Sequence, residues 1–151
     1  MSSRFISAAE IYERIPHDGA MRLLEAVVFW DDKLILCSAS SHRDPKHPLR
    51  DNGALSSVHA LEYAAQAIAV HGSLLMPDGR NPRLQLVYVG TFRGVEMHPG
   101  NLDDGDSAVL RISATRVASL PNGWNYEFCV ASKNLVFVRG TTVVVAPGVA
   151  P

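Results

Sequence analysis

The residues best able to do chemistry in this chain are few and close together. Glu62 is the only side chain ionised at neutral pH between Asp51 and Asp78, and it stands inside an alanine-rich stretch, ALSSVHALEYAAQAIAVHG, Ala54 to Gly72. His59 lies three residues before it and Gln66 four after it, spacings that let all three share one face of a helix. Just upstream, SHRDPKHPLRDNG carries His42, Asp44, Lys46, His47, Arg50 and Asp51 in a segment too rich in turn formers and prolines for a regular element. A loop imidazole that accepts a proton and a buried carboxyl that keeps one are what removal of an activated proton with loss of a hydroxyl needs. Burial raises a carboxyl pKa, while imidazole titrates near neutrality. Loop N–H groups, or the helix N-terminus around Leu55 to Val58, could polarise a thioester carbonyl where enolate-like charge would gather. The competing reading makes Glu62 a structural hydrogen-bond acceptor or a solvent-edge residue, and His59 and His71 surface or packing residues. No HxxxH or HExxH pattern occurs and the other candidate ligands are scattered, so no metal site is expected.

These groups need a scaffold. The helix is expected from the N-cap Ser56 to about Leu75, stopped by the connector MPDGRNP, and its missing charges predict that most of its surface is buried. Four strand-like runs follow: RLQLVYVGTFRGVEMH, SAVLRISATRVASL, WNYEFCVAS and LVFVRGTTVVVA. In the second, Val109, Arg111 and Ser113 alternate with Leu110, Ile112 and Ala114, the pattern of a strand with one wet face. PNG, Pro121 to Gly123, reads as a hairpin turn and SKN, Ser132 to Asn134, as a weaker one. Before the helix, a hairpin over Leu24 to Ser40 is split by Asp31-Asp32. Ser7 can cap a short helix over Ala8 to Arg14, with Glu10 reciprocating in a capping box and Pro16 ending it. The fold class is therefore α+β: an antiparallel sheet wrapped around a long central helix, one domain over residues 1–151, with an irregular N-terminal segment 1–23. A sheet with exposed edges needs pairing, which predicts a dimer.

The bulk numbers narrow the function classes. With 151 residues, 47% hydrophobic and 19% charged, the chain suits one soluble domain with a real core. A net charge of -1 gives no electrostatic case for nucleic acid or an anionic membrane. The N-terminus has no apolar signal region, and no run reaches the roughly 18 apolar residues of a membrane span, so the expected location is the cytoplasm. Cys37 and Cys129 form no disulfide framework and read as core thiols of a reducing compartment. No glycine-rich phosphate loop follows a strand, and Ser56 and Ser57 are better helix caps than nucleophiles. Trp30, Trp124 and Tyr126 read as core or dimer-interface packing rather than a ligand site.

Three segments in order carry a resemblance. IPHDGAMRLLEAVV, Ile15 to Val28, resembles the leucine-proline-histidine opening of bacterial beta-hydroxyacyl-acyl carrier protein dehydratases. VHALEYAAQAIA, Val58 to Ala69, resembles their central helix with its glutamate and alanine-glutamine pair. MHPGNLDDGDSAVLRISA is similar to their passage through a glycine-aspartate turn into the next strand, and the similarity runs through Ile15 to Val145. The nearest branch is the dehydratase-like proteins of aryl polyene biosynthesis clusters. The resemblance implies a hot-dog fold, sites at the interface of two subunits in a homodimer or heterodimer, and acyl carrier protein as partner. No cofactor of its own is implied, since the phosphopantetheine arm arrives with the substrate.

The reaction implied is dehydration of a 3-hydroxyacyl thioester to the trans-2-enoyl thioester, a lyase activity. The family glutamate falls on Glu62, and its glutamine on Gln66, which would orient Glu62 or hold the loop. The spacing of the family's catalytic histidine lands on Pro48, one residue past His47, so a single inserted loop residue puts His47 in register as the base, with His42 the second choice. HPLRDNG replaces the family's histidine-phenylalanine-proline-glycine run, and within it Gly53 could admit a thioester closely. His17 matches the opening motif, where the family residue is structural. The altered loop keeps two alternatives open: thioester hydrolysis on the same fold, with Glu62 activating water, and a non-catalytic structural partner of an active hot-dog dehydratase.

Overall fold

Strand formers and helix formers are segregated along this chain, and the architecture follows that segregation. The computed structural model describes residues 5–14, 19–75, 88–105 and 108–145. In chain order the elements are β1 (Ile6–Ser7), α1 (Ala8–Ile11), β2 (Ala26–Trp30), β3 (Leu34–Ala39), α2 (Ala60–Leu74), β4 (Tyr88–Met97), β5 (Leu110–Leu120), β6 (Gly123–Ala131) and β7 (Val136–Val145). Short three-ten turns occupy Gly19–Met21, Ser41–Arg43, Ser57–His59 and Leu102–Asp104. The seven strands form one antiparallel sheet in the order β1-β2-β3-β5-β6-β7-β4.

The alternation in β5 sets the sheet's two faces. Leu110, Ile112 and Ala114 are buried against the helix while Arg111 is exposed, so the period of two is read out as inside and outside. Their cross-strand partners continue the inner face: Cys37 opposite Ile112, and Phe128 opposite Ala114. Pro121 and Asn122 close a two-residue turn that sets Leu120 against Gly123. A Cβ at Gly123 would collide with the Val144 carbonyl, so only glycine fits there.

Helix α2 packs against β3, β5, β6 and β7. Not one residue from Ala60 to Leu74 is exposed: Ala60, Tyr63, Ala64, Gln66, Ala67, Ile68, Val70, His71 and Ser73 are buried and the rest are half-buried. That is why the stretch carries one carboxylate and no surface charges. Small residues on the sheet side bring the backbone close, and burial of Ile68 and Val70 stabilises the packing by about 1.5–3 kcal/mol each. The span expected to be helical, about 56–75, begins with the three-ten turn, where Ser56 Oγ accepts the Val58 N–H at 3.3 Å, and continues as α2.

The N-terminal region differs from its expected form. The helix expected over Ala8 to Arg14 stops at Ile11, because Tyr12 leaves the helical conformation (φ -86°, ψ 3°) and sends its hydroxyl inward to Gln66 and the Leu24 N–H. Within the segment expected to be irregular, Ile6 and Ser7 pair with Val27 and Ala26, a strand too short to leave a pattern in the sequence. Pro16, His17, the connector MPDGRNP, the start of the first long strand and the terminal APGVAP lie outside the described residues. Strand β4 is a sheet edge, bonded only to β7 and bulged between Arg93 and Glu96. Among the described residues no helix is long and apolar enough to cross a membrane.

Candidate functional site

The loop between β3 and the helix has little ladder of its own, so its carbonyls need donors from elsewhere. Arg50 supplies them. Its Nε donates to Asp44 O (2.9 Å), Nη1 to Gly53 O (2.9 Å) and Asp103 Oδ2 (2.8 Å), and Nη2 to His42 O (2.7 Å) and Asp103 Oδ1 (2.9 Å). All five guanidinium N–H groups are thereby committed, and the bidentate bridge to Asp103 ties the loop to the three-ten turn ahead of β5. The Arg50 hydrogen bonds hold the Asp103 carboxyl below the usual carboxylate range. At the loop tip Asp51 and Ala54 exchange backbone bonds around Asn52 (φ 52°) and Gly53 (φ 81°), both in the left-handed region. Gly53 is exposed and its turn conformation is itself sufficient reason for glycine, so the residue sits at the tip rather than under a reacting group.

His47 is only 4% exposed. Its Nδ1 accepts the Leu49 N–H at 3.1 Å, and its Nε2 lies 3.1 Å from Tyr63 Oη. A backbone N–H can only donate, so the neutral ring carries its proton on Nε2 and gives it to the tyrosine. Tyr63 Oη lies 2.7 Å from Ser41 Oγ, and Ser41 Oγ donates to Leu23 O at 2.7 Å. The chain of bonds runs from imidazole through two hydroxyls to a carbonyl and stops there. Burial, then Arg50, then His59 push the His47 pKa below its ordinary value, and burial pushes Tyr63 up to about 12. His47 was expected as the base, but in this geometry its lone pair already holds its own loop.

Glu62 is half-buried and accepts the Gln66 Nε2–H at 3.1 Å. Gln66, fully buried, is a complete clamp: Nε2 also donates to Met21 O (2.8 Å), while Oε1 accepts from Tyr12 Oη (2.7 Å) and the Leu23 N–H (3.2 Å). It hydrogen-bonds Glu62 and fastens the N-terminal segment, rather than the 41–54 loop, to α2. His42, the second-choice base, is 1% exposed inside the loop, beneath the Arg50 bond to its carbonyl. His59 is half-buried in the turn leading into α2, one helical step from Glu62.

Of the helix-entry amides expected to polarise a carbonyl, two are already engaged: Ser57 N–H donates to Gly100 O at 2.9 Å and Val58 N–H to Ser56 Oγ at 3.3 Å. Two open grooves of about 440 and 500 Å³ run over the outer sheet face, lined by residues such as Ser113 and Cys129. Neither is lined by Glu62 or His47. Among the described residues no group of three His, Cys, Asp or Glu side chains could hold a metal ion. Tyr63, Ser41 and Tyr12 were not singled out as site residues. The available signal was that a tyrosine in a buried helix must find a partner for its hydroxyl.

The comparisons with known proteins give one family and one fold. Residues 9–149 match the model of the ApeP-like family, described as ApeP dehydratase. The dehydratase heterocomplex ApeI:P of Xenorhabdus doucetiae is 23% identical, with 91% of each chain covered and a TM-score of 0.76. AziG of S. sahachiroi is 13% identical over 82% of this chain and 90% of that one, with a TM-score of 0.58. The thioesterase HI1161 of Haemophilus influenzae is 16% identical over 82% and 78%, with a TM-score of 0.53. No curated protein sequence matches the chain. The seven-stranded sheet around one helix is the hot-dog fold, and with a family model spanning nearly its whole length, this chain belongs to the ApeP-like dehydratase family.

Proposed function

We propose that this protein dehydrates a 3-hydroxyacyl thioester, presented on the phosphopantetheine arm of acyl carrier protein, to the trans-2-enoyl thioester. The observation that carries this reading is the Glu62 carboxylate, held on a half-buried helix face by an amide with no freedom left to turn away. A group so placed can protonate the departing C3 hydroxyl. The dehydratase family supports the reaction class. The long edge strand β4 suits pairing with a second subunit, and the relative from Xenorhabdus doucetiae is itself a heterocomplex. A hot-dog partner, identical or different, completes the site, and the chemistry calls for no metal or nucleotide.

A second reading has its own observation. The Leu49 N–H on His47 Nδ1 removes the lone pair of the expected base, as in a subunit that supports a catalytic partner without turning over substrate. Incubation of the purified protein with 3-hydroxyacyl and enoyl thioesters separates the readings. Reversible loss of water supports the dehydratase. Activity that appears only when a second hot-dog subunit is added and that survives Glu62→Gln in this chain supports the structural partner, and release of free thiol instead of water would mean a hydrolase.

A further inference from the structure

We propose that the outer face of the sheet binds a second copy of this chain, face to face about a two-fold axis, with Arg111 of each copy on Glu127 of the other. This face is the side of the sheet turned away from α2 and Glu62, so the inference does not depend on the reaction.

An antiparallel sheet with a solvated side carries polar residues along it. Here that side is poor in charge. Strands β2, β3, β5 and β6 contain three charged side chains, Arg111, Arg116 and Glu127. Arg116 is turned to Trp124 and Tyr126, which leaves Arg111 and Glu127 on the outer face. Apolar groups stand in water around them: Val109 is 44% exposed, Val117 48% and Val28 52%. Val28 lies where β2 slips against β3, between Val27 and Phe29, and a bulge of this kind re-aims a side chain. Exposed apolar groups gathered on one face mark a surface that is covered in an assembly.

The arrangement of the two charges says what covers it. Ser113 pairs with Cys129 on one side and with Leu36 on the other, so the middle of the face is a row without charge. Arg111, opposite Ala131, lies two residues before Ser113; Glu127, opposite Thr115, lies two residues before Cys129 on the antiparallel neighbour. Two residues along a strand span about 6.6 Å, so the charges straddle the row at matching distances on opposite sides. Both are exposed, and neither has an ion-pair partner among the described residues. Val109 and Val117 likewise flank Ser113, four residues to either side. The face reads alike from both ends with the charge reversed. A two-fold axis lying in the interface and crossing the Ser113–Cys129 row sets Arg111 on the partner's Glu127 and Glu127 on the partner's Arg111, the self-complementarity that an isologous contact requires. An unrelated protein would have to present the right charge at each end, whereas a second copy supplies both by symmetry.

The surface relief fits this contact. The two open grooves meet along the same row, with Ser113 and Cys129 lining both. These side chains are small, which lets two sheets approach the roughly 10 Å spacing of packed sheets. Because α2 occupies the other side, the contact leaves Glu62 and the hydrogen-bonding edge of β4 free.

Sedimentation velocity over a concentration series tests this on the full chain, comparing wild type, Arg111→Glu, Glu127→Arg and the double variant Arg111→Glu/Glu127→Arg, with melting temperature confirming that each is folded. The expected result is self-association of wild type, weakened about tenfold or more in each single variant, where like charges meet, and regained in the double variant. Wild type that does not self-associate overturns the inference. So does association unchanged in both single variants, the behaviour of subunits joined through the β4 edge alone. Binding of a different hot-dog subunit that is lost in the single variants and not regained in the double variant would put that subunit on this face and overturns it as well.

Discussion

The two ends of α2 use the same parts with opposite polarity. At the entry His47 receives a backbone N–H on Nδ1 and gives its proton to Tyr63 Oη. At the exit His71 Nε2 donates to the Asp31 carbonyl, and Nδ1 accepts from Tyr126 Oη, which itself accepts the Arg116 Nε–H at 3.1 Å. The exit network is anchored in the core, with Tyr126 fully buried in β6 and Arg116 stacked 4.0 Å over the Trp124 ring. The entry network hangs on a loop whose geometry depends on Arg50 and Asp103 at the surface. One end is anchored in the core, while the other is held by polar ties at the helix end that carries Glu62.

Breaking the ties in turn sharpens this contrast. Gln66→Leu should have the largest effect, because it strips partners from Tyr12 Oη, Met21 O, Leu23 N–H and Glu62 together. A loss of about 3 kcal/mol or more is expected in denaturant unfolding. The helix would survive and the N-terminal segment detach, visible as lost amide protection at Leu23 and Leu24.

The histidines come next. His71→Leu takes the acceptor from the buried Tyr126 O–H and the donor from the Asp31 carbonyl, and should cost about 2 kcal/mol globally, whereas His47→Leu should cost about 1 kcal/mol, with lost protection confined to residues 41–54. Both rings have folded pKa values lowered from 6.5, chiefly by burial. The unfolded chain therefore binds protons first as pH drops. Their stabilisation is complete above 6.5 and is lost as pH falls from there through the lower folded values, so the melting temperature of wild type should decline across that window. His71→Leu should flatten the decline more than His47→Leu.

Most of the scaffold was legible because period-two and apolar runs dictate burial directly: Leu110, Ile112 and Ala114 announced their face, and PNG its turn. Glu62 and Gln66 were legible from their spacing on a helix that lacks other charges. Long-range polar ties were not. Arg50 and Asp103 are separated by fifty-three residues, and nothing local marks them as partners. The tautomer of His47 depends on an amide two residues away and a hydroxyl sixteen away, and no residue pattern encodes which nitrogen keeps the proton. Tyr12 overrode the helical preference of its segment through a buried hydroxyl, a tertiary effect that propensity cannot anticipate.

Asp103→Asn makes the smallest change, since Asp103 is partly exposed and four of the five Arg50 donors can stay engaged through its remaining oxygen and the carbonyls. It should cost about 1 kcal/mol or less in global stability. Hydrogen exchange of the loop amides, not global unfolding, is the measurement that would reveal it, and equal loosening at both ends of α2 would dissolve the contrast between them.

The central claim is that the Glu62 carboxyl acts on substrate rather than on the fold. Water loss from a 3-hydroxyacyl thioester, followed by enoyl absorbance in wild type and Glu62→Gln at matched thermal stability, tests it most directly. The account predicts a fall in kcat of about a hundredfold or more with the melting temperature nearly unchanged. Undiminished turnover in the variant, or a loss of activity that merely follows loss of folded protein, would contradict it.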